Sequence, residues 1–329
     1  MSFANQTPFA AQPVPLVDRE GRDVLVSVVK ATFVLDREGR ARLADDPSPV
    51  RLADELLDPK SPRSSLRFAA DLALEKVGTD VVIVGEAVAP ARVTALDVMV
   101  KVKQRLIPLR VHGPRLFFAG AFGVGIGPAA PFERVPIIYE RAYGGMASDL
   151  SVVELRNPSG VGVAASTAAL VGTPAPQIEH PDRPHTSAAD RHAPVGFGAI
   201  MTHWSPRRER AGTFDDRWRA TRMPLVPEDH DARYGNVAHP SLQFDEHLTA
   251  GVMVGIQGMS PEPLVFALPA LPIAVSARFA TGEREVQRPP IDTVVIEPER
   301  RRIELCTRAV LRIGRSPRAL REVVVRVDD

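Results

Sequence analysis

The sequence predicts a mainly β protein: an antiparallel sandwich or barrel-like core with a long irregular, loop-rich insertion and few short helices. Three observations lead there. Runs of β-branched and apolar residues recur at short spacing toward both ends of the chain, the pattern of strands in a half-buried sheet. Thirty-one prolines and 23 glycines are spread through 329 residues and separate those runs, which favours turns over long elements. Helical periodicity is scarce, and many strands with few helices argue against an α/β enzyme fold.

The elements follow in order. Asp23–Leu35 (DVLVSVVKATFVL) is the strongest strand, rich in valine with alternating stretches. Asp80–Val88 and Val93–Val102 read as strands joined by a turn at Ala89–Arg92, and Leu106–Val111 and Leu116–Ala119 are shorter ones. After residue 250 the pattern resumes with Val252–Met259, Leu264–Leu268, Ile273–Phe279, Thr293–Ile296, Ile303–Cys306 and Val323–Val327. The stretch ERRR, 299–302, reads as a hairpin turn between two of these. Helix candidates are Ser166–Val171, Asp215–Thr221 and Ser316–Glu322. The segment from about Gly144 to Thr249 has few clean strands and holds seven of the eight histidines. So long an irregular run inside a domain implies a task. The organisation read from this is a β-rich core made of 1–145 and 250–329, with 146–249 packed on it as an insertion, or one domain overall.

Composition narrows the function. Lys+Arg of 41 against Asp+Glu of 40 gives a net charge of +1, unlike a dedicated nucleic-acid binder, which needs excess cations against phosphates. The same balance gives no polybasic case for membrane surfaces, and no run is long and apolar enough to span a bilayer. Only five of the cations are lysines: Lys30, Lys60, Lys76, Lys101 and Lys103. One cysteine, Cys306, leaves no intramolecular disulfide and no cysteine-based zinc site; in a strand it reads as a small buried apolar residue. The opening MSFANQTPFAAQPVPLV has no basic stretch before an apolar run, so a cytoplasmic protein without a signal peptide is expected.

Catalytic motifs are weak. GAFGVGIG, 120–127, has glycines at the wrong spacing for a dinucleotide loop and is followed by PAAPF rather than a helix, so it reads as a turn. His180, His185, His192 and His203 lie with Glu179, Asp182 and Asp190 in proline-rich sequence; three could meet on a metal, but no H-x-H or H-E-x-x-H spacing supports it, and solvated loop histidines are the expectation. NPSGVG at 157–162 is a β-turn and not a nucleophile elbow. Asp215 and Asp216 point apart on a helix and are better used in capping or arginine pairing. No enzyme, cofactor or metal is expected.

What remains is HWSPRRERAGTFDDRW, 203–218, with both tryptophans of the chain. Trp204, Arg207, Arg208, Arg210, Asp215, Arg217, Trp218, Arg222 and Tyr234 form the candidate partner-binding set, because Trp, Tyr and Arg carry most of the energy at protein interfaces. The same residues could instead anchor the insertion, with tryptophans inward and arginines outward, the arrangement expected here.

An ordered series of motifs covers nearly the whole chain, from about residue 5 to residue 308: NQTPF, VVKATF, DVVIVGEAVAP, PIIYERAYGG, NPSGVGV, QIEHP, VGFGAI, HWSPR, AGTFDDRW, RMPLVPEDHDARYGNVAH, FALP and IDTVVIEPE. It resembles a bacterial domain-of-unknown-function family of type VI secretion accessory proteins, encoded near VgrG spike and PAAR tip proteins. The matching positions are Lys30, Thr32 and Phe33; Asp80, Gly85, Ala89 and Pro90; Tyr139, Glu140, Arg141, Gly144 and Gly145; Asn157, Pro158 and Gly160; Trp204, Arg207, Gly212, Asp215, Trp218 and Arg222; and Asp292. Of these, Lys30, Asp80, Tyr139, Arg141, Gly144, Gly145, Asn157 and Pro158 are expected to be structural. Where the family pattern has a tryptophan–arginine pair after the last hairpin, this chain has Cys306, Thr307 and Arg308.

The resemblance implies a non-catalytic adaptor or chaperone that holds a protein effector, or its VgrG or PAAR spike junction, in the cytoplasm before loading. A metal-dependent enzyme built on the histidine-rich loops, and a structural component of the spike, stay open beside it.

Overall fold

Two 13-residue strands, Asp23–Leu35 and Arg302–Gly314, lie antiparallel at the centre of the molecule. The computed structural model describes residues 1–314 and 320–328. At about 3.3 Å per residue these strands run roughly 40 Å, longer than one ordinary sheet needs. They carry a mixed sheet whose order is Gln243–Phe244, Thr79–Ile83, Ile291–Glu297, Arg302–Gly314, Asp23–Leu35 and Ala10–Val17, with Ala41–Leu43 also on Asp23–Leu35.

Period-two alternation decides what each face of that sheet touches. One face presents Leu25, Val29, Ala31 and Phe33 from the first long strand and Ile303, Leu305, Ala309 and Leu311 from the second, all buried. Its first half packs against a four-stranded sheet of order Ser2–Asn5, Leu320–Val327, Ile273–Phe279 and Arg284–Gln287. Its second half packs against a five-stranded sheet of order Ile178–Glu179, Arg105–His112, Ala95–Val102, Met253–Gln257 and Leu264–Ala267. The length of the central strands is thus used to back two sheets at once.

The opposite face starts apolar with Val24, Val26 and Val28, and then turns ionic. Lys30, Cys306, Thr293 and Asp80 stand side by side in one row across four strands. Lys30 is fully buried and pairs with Asp71, with Glu304 3.4 Å away. Arg51 grips both oxygens of Glu304 at 2.6 and 2.9 Å. Arg308 pairs with Asp292 and donates to the Asp71 carbonyl at 3.0 Å. Lys76 reaches Asp80 at 2.7 Å and Thr293 at 2.9 Å. Four cations therefore face four carboxylates, so the desolvation of each charge is offset by a partner. Lys30, Asp80 and Asp292, signature positions of the family resemblance, all belong to this row, and the departing Arg308 joins it. The covering layer is the segment that carries Asp46, Ser48, Pro49, Arg51, Asp71 and Lys76; Ser48 N–H donates to Thr32 Oγ1 at 3.0 Å, and the Arg302 guanidinium reaches the Asp46 carbonyl at 2.8 Å.

The fold is mainly β, as the sequence predicts, with two corrections. The pairing is not wholly antiparallel: Thr79–Ile83 runs parallel to Ile291–Glu297, and Ser2–Asn5 parallel to Leu320–Val327. Among the described residues no sheet closes into a barrel. Ala89–Arg92, expected as a turn, is the middle of the strand Glu86–Val93, and the chain bends at Thr94 instead. Pro90 fits there because the partner strand Phe132–Pro136 breaks register between Phe132 and Arg134. Of the helix candidate Ser316–Glu322, residues 316–319 lie outside the described residues and Leu320 onward is strand. The 146–249 segment is not simply laid on the surface: Ile178, Phe197, Ala199, Val237, Leu242 and Phe244 enter the main core.

Burial alone would raise the pKa of Glu304, but the Arg51 hydrogen bonds and the Lys30 charge outweigh it and hold the carboxyl at about 2. Because the folded value lies below the unfolded one, the stabilisation is complete above the ordinary carboxylate range and is lost as pH falls toward 2. A drop of about 3 kcal/mol in unfolding free energy from this group is expected between roughly pH 6 and pH 2, measured by urea denaturation, and Glu304→Gln should flatten that slope. Lys30→Met leaves Asp71 facing Glu304 without its cation and should cost about 3–5 kcal/mol at pH 7.

Candidate protein-binding surface

The sequence around Tyr139 and Asn157 folds first into a frame. Asn157 is buried and its amide donates to the carbonyls of Tyr139 at 2.8 Å and Tyr143 at 3.0 Å. Gly144 lies against it with φ of +151, and a Cβ there would sit 2.2 Å from the Asn157 carbonyl oxygen, which is why the position needs glycine. Arg141 donates to Gln177, and the Gly145 N–H donates to the Asn157 carbonyl at 2.7 Å.

Trp204 hangs on that frame. It is fully buried, with its ring edge-on to Tyr139 at 5.2 Å, and its indole N–H donates to His203 at 3.2 Å. Tyr139 in turn donates its hydroxyl to the Gly198 carbonyl at 3.1 Å. Arg207 is also buried: it donates to the carbonyls of Ile200 at 2.7 Å and Tyr234 at 3.1 Å, and its guanidinium lies 5.4 Å from the Tyr234 ring. Inward tryptophans with outward arginines is therefore only half of the arrangement. Trp204 points in, Trp218 is half-buried against Phe214 and donates to the Leu225 carbonyl at 2.7 Å, and Arg207 points in where an outward arginine was expected. Carbonyls left by the irregular backbone need donors, and a guanidinium supplies several from one position.

The remaining residues of the set are spread over the surface. Asp215 accepts from the Trp218 N–H at 2.8 Å and so caps the helix Asp216–Thr221, as the sequence predicts. Arg217 is exposed and lies 3.5 Å from Glu228, and Arg208 is exposed on the short turn Arg208–Ala211. Arg222 donates to the Val226 and Arg19 carbonyls, which ties this segment to the first hairpin turn of the chain. Arg210 donates to the Arg233 carbonyl and the Gln243 side chain.

Two depressions flank the turns Arg208–Ala211 and Ala232–Gly235, which touch each other. On one side is an apolar groove of about 610 Å³ between Leu16 and Val17, Leu72 and Leu74, and Leu225 and Tyr234, with Arg207 in its wall. On the other is a cleft of about 560 Å³ lined by Arg105, Arg210 and Arg233. Successive residues divide between them: Arg207 and Tyr234 line the groove, Arg210 and Arg233 the cleft. The two turns form the ridge between.

Sequence reasoning did not find Leu16, Leu72, Leu74 or Arg105, because none stands in a motif and each reaches the surface through non-local folding. The histidines differ from expectation too. His180, His185 and His192 line one cavity of about 280 Å³, whereas His203 sits apart beside Trp204. His185 is buried between Tyr143, stacked at 5.0 Å, and His192, at 4.9 Å, because Glu179 fixes its backbone N–H at 2.9 Å. Glu179 also meets His112 and Arg115 at 2.7 Å each; burial raises its pKa, yet these partners hold it far below the usual carboxylate range. Among the described residues no group of three or more His, Cys, Asp and Glu side chains is arranged to hold a metal. Cys306 is buried with Sγ 3.5 Å from Asp71, and burial pushes its thiol pKa well up. GAFGVGIG forms the hairpin Phe117–Gly120 and Gly123–Ile126, where a Cβ on Gly125 would meet the Phe118 ring at 2.9 Å.

Among the described residues no helix is long and apolar enough to cross a membrane. A family described as an uncharacterized protein conserved in bacteria (DUF2169) has a model that matches residues 20–308. No curated protein and no solved structure matches the chain.

The two tryptophans should behave differently. Trp204→Ala opens a cavity in the frame and is expected to cost about 3–5 kcal/mol in urea unfolding. Trp218→Ala, half-buried on a short helix, should cost about 1–2 kcal/mol and leave the circular dichroism spectrum of the folded protein in place.

Proposed function

The chain belongs to this bacterial DUF2169 family, and from that premise we propose that it is a non-catalytic adaptor which grips a protein partner through the groove beside the Trp204–Tyr234 segment. The observation that carries this reading is the groove itself. It is an open, mostly apolar depression whose lining includes Tyr234 and Arg207, residue types that dominate protein interfaces. Arg207 and Arg222 hold its irregular wall by backbone hydrogen bonds, so little ordering entropy is left to lose on binding.

The resemblance of the motif series to type VI secretion accessory proteins is the ground for the proposed partner class: an effector, or its junction with a VgrG or PAAR spike protein. The work of such a protein would be done in the cytoplasm before loading. Leu225, over which the first hairpin turn closes at Gly21, and the exposed Phe214 and Arg217 give the surface its protruding groups.

Affinity capture with the tagged protein from its native bacterium, followed by mass spectrometry, should recover a spike, tip or toxin protein. Leu225→Asp should lower that recovery about tenfold or more while thermal melting stays within a few degrees of the parent, since the side chain faces the groove. Recovery of no such partner, or undiminished recovery with Leu225→Asp, would count against the adaptor reading.

A further inference from the structure

The cleft across the ridge from the groove does not end at its own walls. It shares His180 and Val195 with the histidine-lined cavity, so the two depressions of about 560 and 280 Å³ adjoin. Their combined lining carries Arg105, Arg183, Arg210 and Arg233 but only two carboxylates, Asp182 and Asp245. Asp245 is engaged by Arg233 at 3.3 Å, and Asp182 lies beside His180. Arg105, Arg183 and Arg210 have no carboxylate partner among the described residues. In a chain whose net charge is +1, this is a local excess of cations set into a concave wall.

The arginines are also aimed. Arg105 is held over the Phe244 ring at 4.2 Å and donates to the carbonyls of Ser241 and Gln243, which uses one side of its guanidinium and fixes the other. At the far end, His185 is buried: its Nδ1 lies 3.6 Å from Glu179 Oε2, beyond hydrogen-bond distance, and its Nε2 has no hydrogen-bond partner among the described residues. A buried polar group without a partner costs free energy that a ligand atom can recover.

We propose that these two adjoining depressions take an extended, acidic stretch of the protein partner, with carboxylates on Arg105, Arg183 and Arg210 and its end against His185. The inference rests on the adaptor reading and adds the chemistry of what is recognised. Forked guanidinium donors suit carboxylates, and the ridge places such a stretch next to whatever fills the groove.

The test uses the full chain and a fluorescein-labelled peptide of alternating glutamate and glycine, with a glutamine–glycine peptide as the control, followed by fluorescence anisotropy. The glutamate peptide should bind, should weaken as salt rises, and should exceed the control by about tenfold or more. Arg183→Glu, at an exposed side chain, and Arg105→Glu should each weaken it severalfold, with thermal melting as the check on folding. Equal binding of the two peptides, or unchanged binding by a folded Arg183→Glu, overturns the proposal. The partner capture separates the two ideas. If the parent recovers a partner and Arg183→Glu recovers as much, the acidic cleft fails and the adaptor stands. If the parent recovers none but still selects the glutamate peptide, the adaptor fails and the cleft stands.

Discussion

The buried ionic row on the central sheet is the constraint from which the rest of the surface follows. Lys30, Glu304, Arg308, Asp292 and Asp80 are fixed by strand register, so whatever covers them must bring matching charges to set positions. Asp71 and Lys76 do so, and between them lie Leu72 and Leu74. Those leucines form one wall of the apolar groove. The wall is therefore pinned at both ends by charges that cannot be moved without leaving a carboxylate or an ammonium buried alone. Asp80 extends the same control to the other wall, because it accepts from Asn236 at 3.0 Å and from the Val237 N–H at 2.7 Å, just after Tyr234. A replacement of such a row by apolar residues could be as stable. What the charges add here is a single placement for segments with little regular structure.

Much of this was legible in residues taken one element at a time. Asp23–Leu35 and Ile273–Phe279 are strands with the bounds that their β-branched runs suggest, and Asp215 caps its helix because its side chain competes for the first free N–H groups. The polar residues inside the DVLVSVVKATFVL run carried the clue to the ionic row, since Lys30 and Thr32 share the face of Val28 in strict alternation. The partners stayed hidden: Asp71 and Glu304 lie far away in sequence, and no local pattern states which carboxylate will meet a buried lysine. Two of the five lysines, Lys30 and Lys76, are spent in this row.

Other features were illegible for physical reasons that can be named. Ala10–Val17 holds Pro13 and Pro15 and is absent from the strands the sequence predicts, but it is an edge strand, where one side of the backbone needs no partner. Parallel pairing of Thr79–Ile83 with Ile291–Glu297 joins strands more than 200 residues apart, as Lys76 and Thr293 also do. Periodicity describes the faces of a strand and says nothing of its neighbours. Arg207 looked like its exposed neighbours because the sequence shows no carboxylate beside it, yet its partners are backbone carbonyls, which every residue carries.

The stretch 203–218, with Tyr234 from the next turn, resolves into a division of labour that depends on its short turns. In the turn Ala232–Gly235 successive side chains point in different directions, and Arg233 lines the cleft while Tyr234 lines the groove. The apolar groove and the cationic cleft thus share one ridge, and each takes some of its side chains. Trp204 fixes the ridge from below through Tyr139, and Asn157 fixes Tyr139. A partner that filled the groove with apolar side chains and the cleft with carboxylates would have to cross the ridge in one register, because the distance between the two depressions is set by the frame. Specificity would then come from the spacing of two ordinary chemistries and not from any single strong contact.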